Sequence, residues 1–75
     1  EPSSVFAAGD DVRLVDVDSS GLVYSTTERA IALVGVENIV VVDTDDALLV
    51  TRRAVAQRVK EAVKRARELG YDDVL

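Results

Sequence analysis

Two short acidic patterns are the places where this sequence could do chemistry. Asp43-Thr44-Asp45 follows the apolar run Ile39–Val42. An aspartate leaving a strand can attack phosphorus, and a second one two positions on can act as acid and base. That chemistry also needs an acidic pair for Mg²⁺, a lysine and a large covering fold. Here Asp46-Ala47 comes next, and only residues 46–75 remain. A polar turn between two strands, with an Asx-type hydrogen bond from Asp43, explains the same residues with fewer demands. The second pattern is Asp16-Val17-Asp18-Ser19-Ser20-Gly21. It matches the opening of a calcium loop, with Asp16, Asp18 and Ser20 as the oxygen ligands and a Gly for the sharp bend. The position where such loops carry a bidentate Glu is Thr27, with Glu28 beside it. The flanks read as strands, so a hairpin turn covers Ser-Ser-Gly more simply, and the expectation is no bound metal.

Little else could react. The chain has no Cys and no His. This removes the thiolate nucleophile, the disulfide scaffold, and the commonest general base and metal ligand. Its four Gly are scattered and cradle no phosphate. Seven of the nine Lys and Arg fall in residues 52–69. That segment carries no aromatic residue to stack a base, and residues 1–51 carry ten acids against two Arg, a net of −8. Nucleic acid is therefore not the expected partner.

These residues need elements to hold them. Runs rich in Val, Ile and Leu occur at Val12–Val17, Leu22–Ser25, Ala30–Val34, Ile39–Val42 and Ala47–Val50, separated by Gly, Asp, Asn, Ser and Thr. They start every eight to ten residues, too close for crossover helices. Hairpins and the rungs of a small β-solenoid both fit. Ile39–Val42 is apolar throughout, as in a central strand covered on both faces. Val55, Val59, Ala62, Val63, Ala66 and Leu69 form a helical stripe, with Thr51 as the expected N-cap and Gly70 past the C-terminus. Arg53, Lys60, Lys64 and Arg67 face away from it, Arg58 and Arg65 flank it, and Glu61 is expected to pair with Lys64 or Arg65.

The 75 residues, 48% hydrophobic and 31% charged with a net charge of −5, suit one small globular domain. No run approaches the length of a membrane span. The expected class is mainly β with one C-terminal helix: a short-stranded β-solenoid (β-helix-like) or a small sheet capped by the helix. Residues 1–8 read as an entry arm or linker remnant, 9–51 as the β-rich body, 52–69 as a packing helix and 70–75 as a tail. Ile31, Leu33 and Val41 in the apolar runs, with Arg58 and Arg65 on the helix, are the expected interface residues.

One ordered stretch is more specific. Gly9-Asp10 leads to Asp18-Ser19, then Gly35-Val36-Glu37-Asn38-Ile39-Val40-Val41-Val42-Asp43-Thr44-Asp45-Asp46-Ala47-Leu48-Leu49-Val50, then Gln57-Arg58-Val59-Lys60-Glu61-Ala62-Val63. This order resembles the C-terminal region of mannose-1-phosphate guanylyltransferases, the GDP-mannose pyrophosphorylases. A "GD" turn, a "DS" segment, "GVEDLVVVDTPDALLV" and a "QxVKxVV" helix follow one another there. Asp45 stands where that family often has Pro, and no hexapeptide repeat is readable.

The resemblance implies a two-part parent. A nucleotidyltransferase domain uses Mg²⁺ to make GDP-mannose, and a small β-helix-like domain follows it. Only the second part is resembled, so no catalytic or cofactor-binding residue carries over to this chain. The implied role is structural, with the parent's catalytic domain and a second subunit as partners, in the cytoplasm and without nucleic acid or membrane. The alternatives are a free-standing protein- or cation-binding module and a small Asp-based phosphatase-like protein.

Overall fold

A computed structural model describes residues 4–71; the parts of the expected arm and tail in residues 1–3 and 72–75 lie outside the described residues. Six strands are followed by a helical end. They are β1 (Ser4–Gly9), β2 (Arg13–Val17), β3 (Ser20–Ser25), β4 (Ala30–Val34), β5 (Ile39–Asp43) and β6 (Leu48–Arg52). A 3-10 segment, Arg53–Arg58, leads into α1 (Val59–Glu68).

Each of the first strands pairs with the next but one. β1 with β3, β3 with β5, and β2 with β4 are all parallel. Between partners the chain crosses to a second sheet and returns, so the architecture is a solenoid. Ser4 lies beside Ser20, Arg13 beside Ala30 and Gly21 beside Ile39, which sets coils of 16, 17 and 18 residues. The larger sheet runs β1-β3-β5-β6 and the smaller one β2-β4. Among the described residues the one hairpin is β5–β6, which is antiparallel. Corner residues decide between rungs and hairpins. Asp11, Asp18 and Asn38 take left-handed φ of 47°, 50° and 54°, which short Asx side chains tolerate, and they turn the chain towards the opposite sheet.

The expected arm is corrected over its described part, because Ser4–Gly9 is an edge strand paired along its length with β3. Ala7, Ala8 and Gly9 have low β propensity, so pairing rather than local preference makes this strand.

Val23, Ile31, Leu33 and Val41 form the core, with Val5, Val12, Leu14, Val36 and Ile39 packed against it. Side chains alternate in and out of the solenoid, so each strand gives the interior every second residue. β5 is central as expected, between β3 and β6. Val41 is buried in it, and Ile39, Val40 and Val42 are half-buried. The coils come close at Gly21, where φ is +142°. A Cβ there would overlap the Ile39 carbonyl oxygen and lie 2.8 Å from Ile39 N and 2.9 Å from its carbonyl carbon.

The helical end differs from expectation at its start. Thr51 belongs to β6, and neither helical segment has a side-chain cap. Val55, at φ −121°, interrupts the first turns, so regular α-helix begins only at Val59. Its end is as expected. The N–H of Tyr71 bonds Ala66 O at 2.9 Å and that of Gly70 bonds Arg67 O at 3.0 Å, the two bonds of a Schellman cap. Val55, Val59, Val63 and Ala66 are half-buried, while Ala62 and Leu69 are exposed. Glu61 pairs backwards with Arg58, at 2.8 and 3.0 Å, and Arg65 pairs with Glu68. Bidentate geometry favours the Arg58 partner over Lys64.

Candidate functional site

Asp43 ends β5 and is fully buried. Its Oδ2 accepts the Ser25 hydroxyl at 3.0 Å and the Thr27 hydroxyl, and its Oδ1 accepts Arg29 Nε at 3.1 Å. Ser25 is its register partner on β3, and Thr27 and Arg29 stand on the corner that follows. The carboxylate thus ties one coil's corner to the next coil. The Thr27 hydroxyl foremost, with Ser25 and Arg29, holds the carboxyl below its ordinary 3.8, against the opposing effect of burial.

This corrects two expectations. Both carboxylate oxygens are occupied and none of the side chain reaches solvent, so Asp43 cannot approach a phosphoryl group. The phosphatase-like alternative fails on that geometry, with Asp45 exposed in the loop beyond. Nor does Asp43 make the expected turn hydrogen bond. Thr44 holds that turn, with its N–H on Ala47 O at 3.0 Å and its hydroxyl oxygen accepting the Ala47 N–H at 3.3 Å.

The calcium-loop pattern is a solenoid corner. The Ser19 hydroxyl, buried, donates to Val17 O at 3.0 Å and accepts the Val36 N–H at 3.2 Å. Ser20 Oγ accepts the Asn38 N–H at 2.9 Å. The two serines stitch this corner to the one a coil later. Asp16 and Asp18 do not converge with Ser20: Asp16 faces inward from β2 and Asp18 is exposed. Among the described residues no three acidic, His or Cys groups gather.

The expected interface residues separate into two kinds. Ile31, Leu33 and Val41 are core, at 8%, 9% and 4% exposure, because their inward positions fill the solenoid. Arg58 and Arg65 are exposed but engaged by glutamates. The apolar surface lies instead on outward positions that alternation sets one residue away. Val15, Val17 and Val34 stand on the outer face of β2-β4, and Phe6, Leu22 and Tyr24 on that of β1-β3. The helix covers β6 at Leu49 and leaves both of these faces open.

The Ser25–Thr27–Arg29–Asp43 cluster was not legible from local motifs. Its signal was a weak internal repeat. Leu22-Val23-Tyr24-Ser25-Thr26 aligns with Val40-Val41-Val42-Asp43-Thr44 at one coil's offset, putting a polar residue at the same corner of successive turns.

A solenoid of two short sheets with a terminal helix is also the form of known domains. Residues 12–66 match the family model for the MannoseP isomerase/GMP-like beta-helix domain. The chain belongs to this β-helix domain family. The xanthan biosynthesis protein XanB of Xanthomonas campestris pv. campestris (strain B100) is 51% identical over 50 residues, which are 67% of this chain and 11% of that protein. The mannose-1-phosphate guanylyltransferase of Escherichia coli is 43% identical over 47 residues, which are 63% of this chain and 10% of that protein. A crystal structure described as mannose-1-phosphate geranyltransferase from Thermus thermophilus superposes with a TM-score of 0.67 at 31% identity. It takes in 88% of this chain and 19% of the other. As a β-helix domain, the chain spans about a tenth of the length of the curated relatives it matches. Among the described residues no helix is long and apolar enough to cross a membrane.

Proposed function

We propose that this chain is the non-catalytic β-helix domain of a mannose-1-phosphate guanylyltransferase, a cytoplasmic enzyme that joins GTP and mannose 1-phosphate into GDP-mannose and pyrophosphate with Mg²⁺. The 43% identity to the Escherichia coli enzyme of that name supports the parent's activity. The observation that carries the non-catalytic role is Asp43: the one fully buried carboxylate among the described residues has all its bonds directed inward. The domain's work is to pack. Its two exposed apolar faces, Val15-Val17-Val34 and Phe6-Leu22-Tyr24, are the surfaces for the catalytic domain and for a second subunit.

The test has two arms. The purified 75-residue chain, given GTP, mannose 1-phosphate and Mg²⁺, releases no pyrophosphate, while the full gene product does. In the full product, Val17→Asp and Tyr24→Asp lower the melting temperature or split the assembly without touching the nucleotide site. Sustained pyrophosphate release by the chain alone would refute the non-catalytic role. A full gene product that is inert with these substrates would refute the parent's activity.

A further inference from the structure

We propose that the helical end is a strap: α1 opens from the sheet as one unit, hinged at Val55, while the solenoid beneath it stays folded. The opening is a property of this chain and holds whichever nucleotide sugar the parent makes. Only its use, setting the width of a packing face, rests on the packing role proposed above.

The strap has an anchor, a hinge and a weakly held arm. The N–H of Arg53 bonds Asn38 O at 2.6 Å, which fixes the chain to the corner before β5 as it leaves β6. Val55, at φ −121° and ψ 21°, then breaks the helical path. Beyond this hinge, α1 buries none of its ten residues. Val59, Val63 and Ala66 are half-buried, and their short side chains underfill the seat. One cleft of about 230 Å³ separates Leu49 and Thr51 from Val55, Val59 and Ala62. Another of about 320 Å³ separates Ala47 and Leu49 from Val59, Val63 and Ala66.

Polar groups do not fasten the arm either. Arg58–Glu61 and Arg65–Glu68 close within the helical end. Among the described residues no side-chain hydrogen bond joins α1 to a strand. A helix of ten residues is too short to hold itself in water. Few buried apolar groups and exposed backbone bonds place it at the low end of local stability. The solenoid does not depend on it. Val23, Ile31, Leu33 and Val41 make the core, and alternation points Val41 inward and Val40 and Val42 to the helix side.

Opening changes what the larger sheet shows. Leu22 lies beside Val40, Tyr24 beside Val42, and Val42 beside Leu49, so all five share the outward face. Leu22 and Tyr24 are exposed, while Val40, Val42 and Leu49 are half-buried. With α1 closed the bare apolar face stops at β3. With α1 open it runs across β5 to β6.

The experiment is native-state amide exchange on the ¹⁵N-labelled 75-residue chain in rising, sub-denaturing urea. The amides from Val63 to Leu69 exchange within about threefold of one another, after correction for intrinsic rates. They exchange at least about 100-fold faster than those of Val23 and Val41, with little response to urea, because a local opening exposes little surface. Val63→Asp abolishes protection in α1 and leaves Val23 and Val41 protected. Ala62→Leu, at a position lining both clefts, slows exchange in α1 about tenfold, the effect of burying part of a leucine side chain. The proposal is overturned if the amides of α1 exchange as slowly as those of Val23 and Val41, or if their rates rise steadily towards Leu69 as in a fraying end. It is equally overturned if Val63→Asp unfolds the solenoid with the helix, or if Ala62→Leu leaves α1 unchanged. Each result is read without substrates, so it stands apart from the test of the parent's activity.

Discussion

Replacing Gly21 with Ala tests the solenoid where β3 lies against the backbone of β5. The new Cβ would overlap the carbonyl oxygen of Ile39 and stand 2.8 and 2.9 Å from its nitrogen and carbonyl carbon. All three are backbone atoms of the central strand, so no side chain can swing away. A φ of +142° adds about 1–3 kcal/mol of backbone strain for a residue with a Cβ. Pushing β3 from β5 weakens ladder hydrogen bonds at about 1 kcal/mol each and loosens Val23 against Val41. The total is about 3–5 kcal/mol, against a whole stability of about 4–11 kcal/mol at roughly 0.05–0.15 kcal/mol per residue. Gly35 is the control. It also has positive φ, +65°, but nothing lies within 4 Å of its Cβ position, so Gly35→Ala costs only about 1–2 kcal/mol of left-handed strain. Thermal melts followed by far-UV circular dichroism read the difference. At about 4–8 °C per kcal/mol for a domain of this size, Gly21→Ala melts more than about 12 °C below the parent chain or does not fold. Equal melting temperatures for the two variants would refute the parallel packing of β3 on β5 at this point.

Asp43→Asn lowers stability at neutral pH and removes part of the acid sensitivity. The folded carboxyl titrates below its ordinary 3.8, so its stabilisation is complete above that value and is lost as pH falls through the depressed one. The melting gap between the parent and Asp43→Asn therefore narrows from pH 5 towards pH 2, and a gap that stays constant contradicts the buried network. Millimolar Ca²⁺ leaves the melting temperature of the chain unchanged, because Ser20 Oγ is taken by the Asn38 N–H and Asp16 faces inward. A rise of several degrees that Asp18→Ala abolishes would show otherwise.

Local chemistry in the sequence determined much of this protein. Runs of Val, Ile and Leu between Asx and Gly corners dictate short strands. The stripe from Val55 to Ala66 dictates a packing helix, and Gly70 marks its end. The order of motifs from Gly9 to Val63 was enough to point to the family. Pairing partners were not decided at that level, because strands spaced eight to ten residues apart satisfy hairpins and solenoid rungs equally. The left-handed corners at Asp11, Asp18 and Asn38 and the stacking of coils chose the rungs. Ser4–Gly9 became a strand along its full length through β3, since Ala7, Ala8 and Gly9 favour no strand by themselves. The role of Asp43 was set in the same way. In sequence it is an acid in a turn, and only the 18-residue coil brings Ser25, Thr27 and Arg29 around it. Inward and outward positions also followed from the closed coil, which buried Ile31, Leu33 and Val41 and left Val15, Val17 and Val34 outside. Alternation along a strand states that two faces exist, and the second sheet decides which of them is covered.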